Sequence, residues 1–203
     1  MLSGAILSGG RSSRMGQDKG MIRLGGRPLV NHVATAMAEI VDEIVVAVAA
    51  GKSAEYTDVL GGDLVIAEDK EPDLGPLEGL ITALSAANGD YVLFSPCDTP
   101  FLKTGVCKII ASYAKERDGA VPIVRGYQEP LHAVYRRTNA LEAFEIAVST
   151  GKRRPADAYE GLVMMPVPED MLRELDPRLE SFWNLNTPED LAQAEAKLKQ
   201  ELR

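Results

Sequence analysis

Cysteine is scarce in this sequence: Cys97 and Cys107 stand ten positions apart, and neither has a Cys or His partner at zinc-ligand spacing. That argues against a disulfide framework and against a structural zinc. Positive charge is also in deficit, since 22 Lys and Arg face 30 Asp and Glu for a formal charge of −8. Such a field repels phosphate backbones, so nucleic acid is not expected as a partner, whereas a few well-placed cations can still bind a small anion. No apolar run is long enough to span a bilayer, and no internal repeat or low-complexity segment is present. Nor does a basic n-region, a long h-region or a small-residue cleavage site surround Ala5-Ile6-Leu7. The expectation is a cytoplasmic chain with no membrane contact. With 45% hydrophobic and 26% charged residues it is too apolar for disorder. Its 203 residues suffice for one core, so a single domain, 1–203, is expected.

Short β-prone runs alternate with amphipathic stretches of helical length, the pattern of an α/β fold with a mostly parallel central sheet and helices on both faces. Strands are expected at residues 4–7, 44–49, 63–67, 91–95 and 119–124. Helices are expected at 28–40, where Val30, Val33, Met37 and Ile40 recur at helical spacing, and at 77–87 and 106–115. The second half is less regular: strands at 131–136 and 162–167, a helix at 139–148, and a short strand at 182–185. The last helix is well punctuated. Thr187 caps it, Pro188 suits its first position, Asp190 can return a capping-box contact, and Glu195 with Lys199 makes an i,i+4 pair.

The first strand ends in Leu7-Ser8-Gly9-Gly10-Arg11-Ser12-Ser13-Arg14-Met15-Gly16-Gln17-Asp18-Lys19. Gly9, Gly10 and Gly16 allow close backbone approach to phosphate oxygens, Ser12 and Ser13 add donors, and Arg11, Arg14 and Lys19 bring three cations into an acidic chain. The loop is neither a Walker A motif nor a dinucleotide fingerprint, because Met15 stands where a glycine is required and no G-x-G-x-x-G can be written across it. Further on, Tyr91-Val92-Leu93-Phe94-Ser95-Pro96-Cys97-Asp98-Thr99-Pro100 carries Asp98 to the same sheet edge. One strand-end carboxylate beside a triphosphate suffices for Mg²⁺. Asn184 and Asn186 are two apart, so on extended chain their amides share a face and can grip a polar ring. Gly151-Lys152-Arg153-Arg154 is a second basic cluster. His132 reads as a packed or hydrogen-bonded residue and His32, inside a helix, as structural or exposed; Trp183 is either core or a stacking platform.

These motifs resemble the nucleotidyltransferases of the molybdenum cofactor, whose signature L-A-G-G-x-x-x-R-M-G-x-D-K aligns with Leu7 to Lys19, Ser8 replacing alanine. Pro96-Cys97-Asp98-Thr99-Pro100 resembles the guanylyl branch, as does Gly9. Glu68-Asp69 and Gly75-Pro76-Leu77-Glu78-Gly79 resemble its E-D and G-P-L-x-G elements, and Trp183 to Leu191 its closing N-x-N-T-P-E-E-L. Ala47 stands where that family has an asparagine. The resemblance implies a Rossmann-like nucleotidyltransferase fold, with residues of about 1–125 as the nucleotide half and about 126–203 as the acceptor half. It implies transfer of GMP from GTP to molybdenum-loaded molybdopterin with release of pyrophosphate. Leu7, Ser8, Gly9, Gly10, Lys19, Asp69, Gly75 and Asp98 would contact GTP, Asp69 being preferred to Glu68. Arg14, Lys19 and Asp98 would be catalytic, with Mg²⁺ on Asp98. Arg153, Asn184 and Asn186 would hold molybdopterin. A monomer is expected, in transient contact with molybdoenzymes or cofactor-biosynthesis proteins. The alternatives are a related transferase using CTP or a sugar-phosphate acceptor, and a GTP-binding module without turnover.

Overall fold

The computed structural model describes residues 1–9, 18–62, 64–70 and 75–201. The apolar segments expected as strands form β1 (Leu2–Ser8), β4 (Glu43–Val48), β5 (Val65–Glu68), β6 (Tyr91–Pro96), β7 (Gly119–Val124), β9 (Val134–Arg136) and β10 (Met164–Val167). They line up in the order β10-β7-β9-β6-β1-β4-β5, with β8 (Tyr127–Gln128) hairpinned onto β7. Every pairing along that path is parallel except at β9, which runs antiparallel to both β6 and β7. The sheet is thus α/β and mostly parallel, as expected.

Strand periodicity divides the core between the two faces. In β4, Val46 and Val48 meet Val30, Val33 and Met37 of α1 (Leu29–Ala38) and Val106 and Ile110 of α4 (Thr104–Tyr113). The alternate residues, Val45 and Ala47, meet Leu77, Leu80 and Leu84 of α3 (Pro76–Ala86) and Phe144 of α5 (Arg137–Ser149). Each of those leucines, buried completely, contributes about 1.5–3 kcal/mol of transfer free energy.

Two helices carry no readable periodicity in the sequence: α2 (Ser53–Leu60) and α6 (Glu169–Leu175) bury only Tyr56 and Leu172 respectively. A third small core lies under α7 (Pro188–Glu201), which packs on the hairpin of β2 (Arg23–Leu24) and β3 (Arg27–Pro28) through Leu24, Leu29 and Ala194. That hairpin turns at Gly25 and Gly26, both with positive φ, as a type I′ turn requires. The α7 start has the expected reciprocal cap, with Asp190 N–H donating to Thr187 Oγ1 at 3.1 Å and Thr187 N–H to Asp190 Oδ2 at 2.9 Å. Glu195, read with Lys199, accepts from the Gly25 N–H at 2.7 Å.

Two strand expectations need correction. Residues 182–185 are not strand: Phe182 ends a 3-10 turn, Glu180–Phe182, wound tight by left-handed Leu179 and by the Ser181 N–H donating to buried Asp176, and 183–185 follow it. Only Val134–Arg136 of the 131–136 segment is strand, because Pro130 opens a 3-10 turn, Pro130–His132, just before it. Of the 63–67 expectation, residue 63 lies outside the described residues. Among the described residues no helix is long and apolar enough to cross a membrane.

Candidate active site

The parallel register brings the carboxyl ends of β5, β4, β1 and β6 to one edge: Val48 pairs with Glu68 and Ser8, and Leu7 with Pro96. Ligands in open α/β sheets bind beyond such an edge. Two backbone bonds extend the ladder past the strand ends, Asp69 N–H to Val48 O at 2.8 Å and Cys97 N–H to Leu7 O at 3.0 Å. Asp69 and Asp98 therefore stand on either side of the residues that follow β1. Ala47 is fully buried inside β4, so this part of the edge is formed by Val48 and Ala49.

Gly9 and Asp69 are in direct apposition. A Cβ at Gly9 would come within 2.6 Å of Asp69 Oδ2, so a side chain there would displace the carboxylate. Burial raises the Asp69 carboxyl above its usual pKa; a hydrogen bond from Thr82 opposes the shift and the charge of Glu78 adds to it. Asp69 Oδ1 is buried without a hydrogen-bond partner among the described residues. Neighbouring Glu68 faces elsewhere, accepting from the Gly51 and Ser53 N–H groups at 3.0 and 2.8 Å. The Ser53 hydroxyl foremost, and then those N–H groups, lower its pKa to about 2. Of the two acids, Asp69 is the one turned toward the glycine loop.

The chain re-enters the described residues at Asp18, whose side chain caps a 3-10 turn, Lys19–Met21. From this turn Lys19 Nζ reaches Asp98 Oδ2 at 2.8 Å and Asn186 Oδ1 at 2.7 Å. Asp98 is 6% exposed, and its other oxygen accepts from Asn184 Nδ2 at 3.0 Å. Its carbonyl accepts from the Leu185 N–H at 2.9 Å, stitching the residues before α7 to the end of β6. Lys19, Asp98, Asn184 and Asn186, scattered over most of the chain, thus form one hydrogen-bonded group. Both asparagines meet this group and at the same time line a cleft of ≈ 760 Å³ with Arg125, Tyr127, Glu129 and Trp183.

The other expected residues are more dispersed. Leu7 packs near Gly79 of α3, and Gly75 caps α3 with φ 68°, a conformation that favours glycine. The guanidinium of Arg153 donates to Lys152 O at 2.8 Å and Val148 O at 3.3 Å, closing the C-terminal end of α5. Its backbone carbonyl would stand 3.9 Å from a Cβ at Gly75. Gly10 and Arg14 lie outside the described residues.

Sequence reasoning gave no role to Tyr56. Its ring is fully buried, and its hydroxyl lies between Ser8 Oγ and Asp18 Oδ1. The signal was faint because α2 has no apolar stripe. Cys97, beside Asp98, is buried, and its thiol is pushed up to about 12 by burial and then by the Asp98 charge. It remains a thiol at neutral pH and is no nucleophile. His132 is buried against Phe182, ring centroids 5.0 Å apart, with neither ring nitrogen hydrogen-bonded among the described residues. Burial lowers its pKa to about 4 against the opposing charge of Asp98. His32 Nε2 contacts Leu24 O at 3.0 Å, in the structural role expected. Trp183 stacks on Phe101 at 5.4 Å while one side faces the cleft.

The chain is similar to known proteins over most of its length. The family described as "MobA-like NTP transferase domain" matches residues 4–162. A molybdenum cofactor guanylyltransferase of Desulfosudis oleivorans is 37% identical over 200 residues, 98% of this chain and 96% of that protein. One from Pseudomonas entomophila is 36% identical over 187 residues, covering 91% and 93%. The crystal structure of molybdopterin-guanine dinucleotide biosynthesis protein A from Archaeoglobus fulgidus superposes with a TM-score of 0.82 at 28% identity, covering 98% of this chain and 99% of that one. With a family match over most of its length and such identities end to end, this chain belongs to the MobA-like NTP transferase family and, within it, to the molybdenum cofactor guanylyltransferases.

Proposed function

We propose that this chain transfers GMP from GTP to molybdenum-loaded molybdopterin, yielding molybdopterin guanine dinucleotide and pyrophosphate. The observation that carries the reading is the Lys19–Asp98 pair, which stands between the Gly9–Asp69 apposition on one side and the cleft on the other. A donor nucleotide on the first side and an acceptor on the second would meet at that pair. In this reading the half at about 1–125 binds nucleotide and the half at about 126–203 binds the acceptor.

Leu7, Ser8, Gly9, Gly10 and Gly75 would line the nucleotide, and Asp69, with an acceptor oxygen unfilled among the described residues, would take donors from its base or ribose. Arg14 and Lys19 would meet its phosphates. Asn184 and Asn186 would hold the acceptor's phosphate end beside Asp98 while its ring occupies the cleft. Arg153 would contribute by leaving its carbonyl partners for an acceptor phosphate. An acceptor phosphate oxygen attacks the α-phosphorus of GTP in line. The bond from that phosphorus to the bridging oxygen breaks, and pyrophosphate leaves with the electron pair. No enzyme nucleophile is needed; positioning and cation charge do the work.

Asp98 fits Mg²⁺. It is a single hard carboxylate with an amide beside it, and the described residues hold no group of three His, Cys, Asp or Glu side chains that would make a cage. Magnesium prefers this arrangement because it keeps water and takes the rest of its ligands from phosphates. When bound, it would neutralise charge on the phosphates. Lys19 would then give up Asp98 Oδ2, and the triphosphate would offer its ammonium a new partner. The proposal includes a monomeric cytoplasmic enzyme in transient contact with molybdoenzymes or cofactor-biosynthesis proteins.

Mass spectrometry of the product tests this. Incubation with Mg²⁺, GTP and molybdenum-loaded molybdopterin should yield the guanine dinucleotide. A cytosine dinucleotide from CTP, or transfer to a sugar phosphate instead, would overturn it.

A further inference from the structure

We propose that Tyr56 is a positioning residue for Lys19 and acts through Asp18; this rests on reading Lys19 as a residue that meets the phosphates of the nucleotide. Tyr56 is the one residue that α2 buries. Its hydroxyl donates to Asp18 Oδ1 at 2.6 Å. A phenol has a single proton, so Ser8 Oγ must be the donor in its contact with Tyr56. The result is a directed chain from Ser8 to Tyr56 to Asp18 that ends on a carboxylate, where each link strengthens the next.

The same Asp18 oxygen accepts from the Gly20 N–H at 3.0 Å, and the Asp18 carbonyl accepts from the Met21 N–H at 3.1 Å. Those two bonds wind the turn from which Lys19 extends to Asp98 and Asn186. Gly20 leaves room for the arrangement, because a Cβ there would overlap both Ser8 Oγ and the Tyr56 hydroxyl. A hydroxyl on α2 thus fixes the backbone that aims the ammonium. It does so without touching a phosphate itself.

Plain packing is the competing explanation, and phenylalanine would satisfy packing equally well. Tyr56→Phe keeps the ring and removes only the donor. Two readouts separate the roles. The first is amide exchange at Gly20 in the nucleotide-free protein, which should quicken about tenfold while core amides in β1 and β4 stay protected. The second is a double-mutant cycle with Lys19→Ala, read as affinity for whichever of Mg²⁺-GTP, Mg²⁺-CTP or Mg²⁺-ATP the wild type binds best. Tyr56→Phe alone should weaken binding by about 10-fold or more, and add nothing once Lys19 is gone.

Unchanged Gly20 exchange would overturn the proposal. So would losses that multiply in the double variant, since Tyr56 would then act independently of Lys19. The exchange measurement needs no nucleotide, so it judges the clamp even if the wild type prefers CTP, an outcome that would sink the guanylyl reading alone. Asp18→Asn, which keeps the acceptor but removes its charge, should fall between wild type and Tyr56→Phe in both readouts.

Discussion

Lys19 Nζ lies 2.8 Å from Asp98 Oδ2 although 79 residues separate them, and both side chains are largely withdrawn from solvent. Each is the other's counter-ion; under the proposed function the carboxylate would take a cation and the ammonium a phosphate. GTP with Mg²⁺ would thus offer each of the two groups a new partner of opposite charge.

Asp98→Ala should therefore lower turnover by at least about 10²–10³-fold, the loss typical of an electrostatic contact to the reacting centre. The fold should persist, since Lys19 keeps Asn186 as a partner. Single-turnover kinetics with circular dichroism check this; an active, Mg²⁺-responsive variant would contradict the assignment.

The two adjacent acids should separate cleanly. Asp69→Asn is expected to weaken GTP binding about tenfold or more, because it removes a charged acceptor from the loop side of the sheet edge. Glu68→Gln should leave GTP affinity unchanged and lower the melting temperature, because its bonds go to the Gly51 and Ser53 N–H groups. Calorimetric titration and thermal melts of both variants decide it. A Glu68 variant that loses GTP would reverse the assignment.

Much of this was legible in the sequence for physical reasons. Buried parallel strands are continuous apolar runs, so β1, β4 and β6 stood out, and the Asp98 and Gly9 edge followed from where those runs end. The cap on α7 was readable because Thr187, Pro188 and Asp190 are local signals. What escaped was set by contacts distant in sequence. Asn184 and Asn186 read as ring-gripping amides on extended chain, yet they bond to Asp98 and Lys19 from a segment that is not strand. Tyr56 escaped because α2 buries a single residue, too little for any period to show. Arg153 read as a free cation in a basic cluster, while its guanidinium closes α5.

His132 sets a pH dependence whose sign is fixed. Its folded pKa, about 4, lies below the 6.5 of an ordinary histidine. The unfolded chain therefore binds a proton that the folded chain refuses. Stability is fully present above pH 6.5 and declines as pH falls from 6.5 towards 4, by roughly 3 kcal/mol if burial acts in full. His132→Leu should flatten urea-derived stability across that window, at little cost at pH 7, because no hydrogen bond among the described residues is lost. Glu129, 4.0 Å from Nδ1, and Asp98 are the acids that would soften the effect. An unaltered pH profile in the variant would show that the decline has another source.

Thr187→Val removes the hydroxyl that accepts from the Asp190 N–H. It should cost about 1 kcal/mol, read as a lower denaturation midpoint. Loosening of the adjacent Asn186 should also raise KM for the acceptor more than KM for GTP.

The most direct test of the account is pyrophosphate release measured with GTP, CTP and ATP in parallel, each with Mg²⁺ and with or without molybdenum-loaded molybdopterin. The account predicts release with GTP, dependent on the acceptor and abolished in Asp98→Ala. Release that favours CTP, or that proceeds equally well without the acceptor, would contradict it.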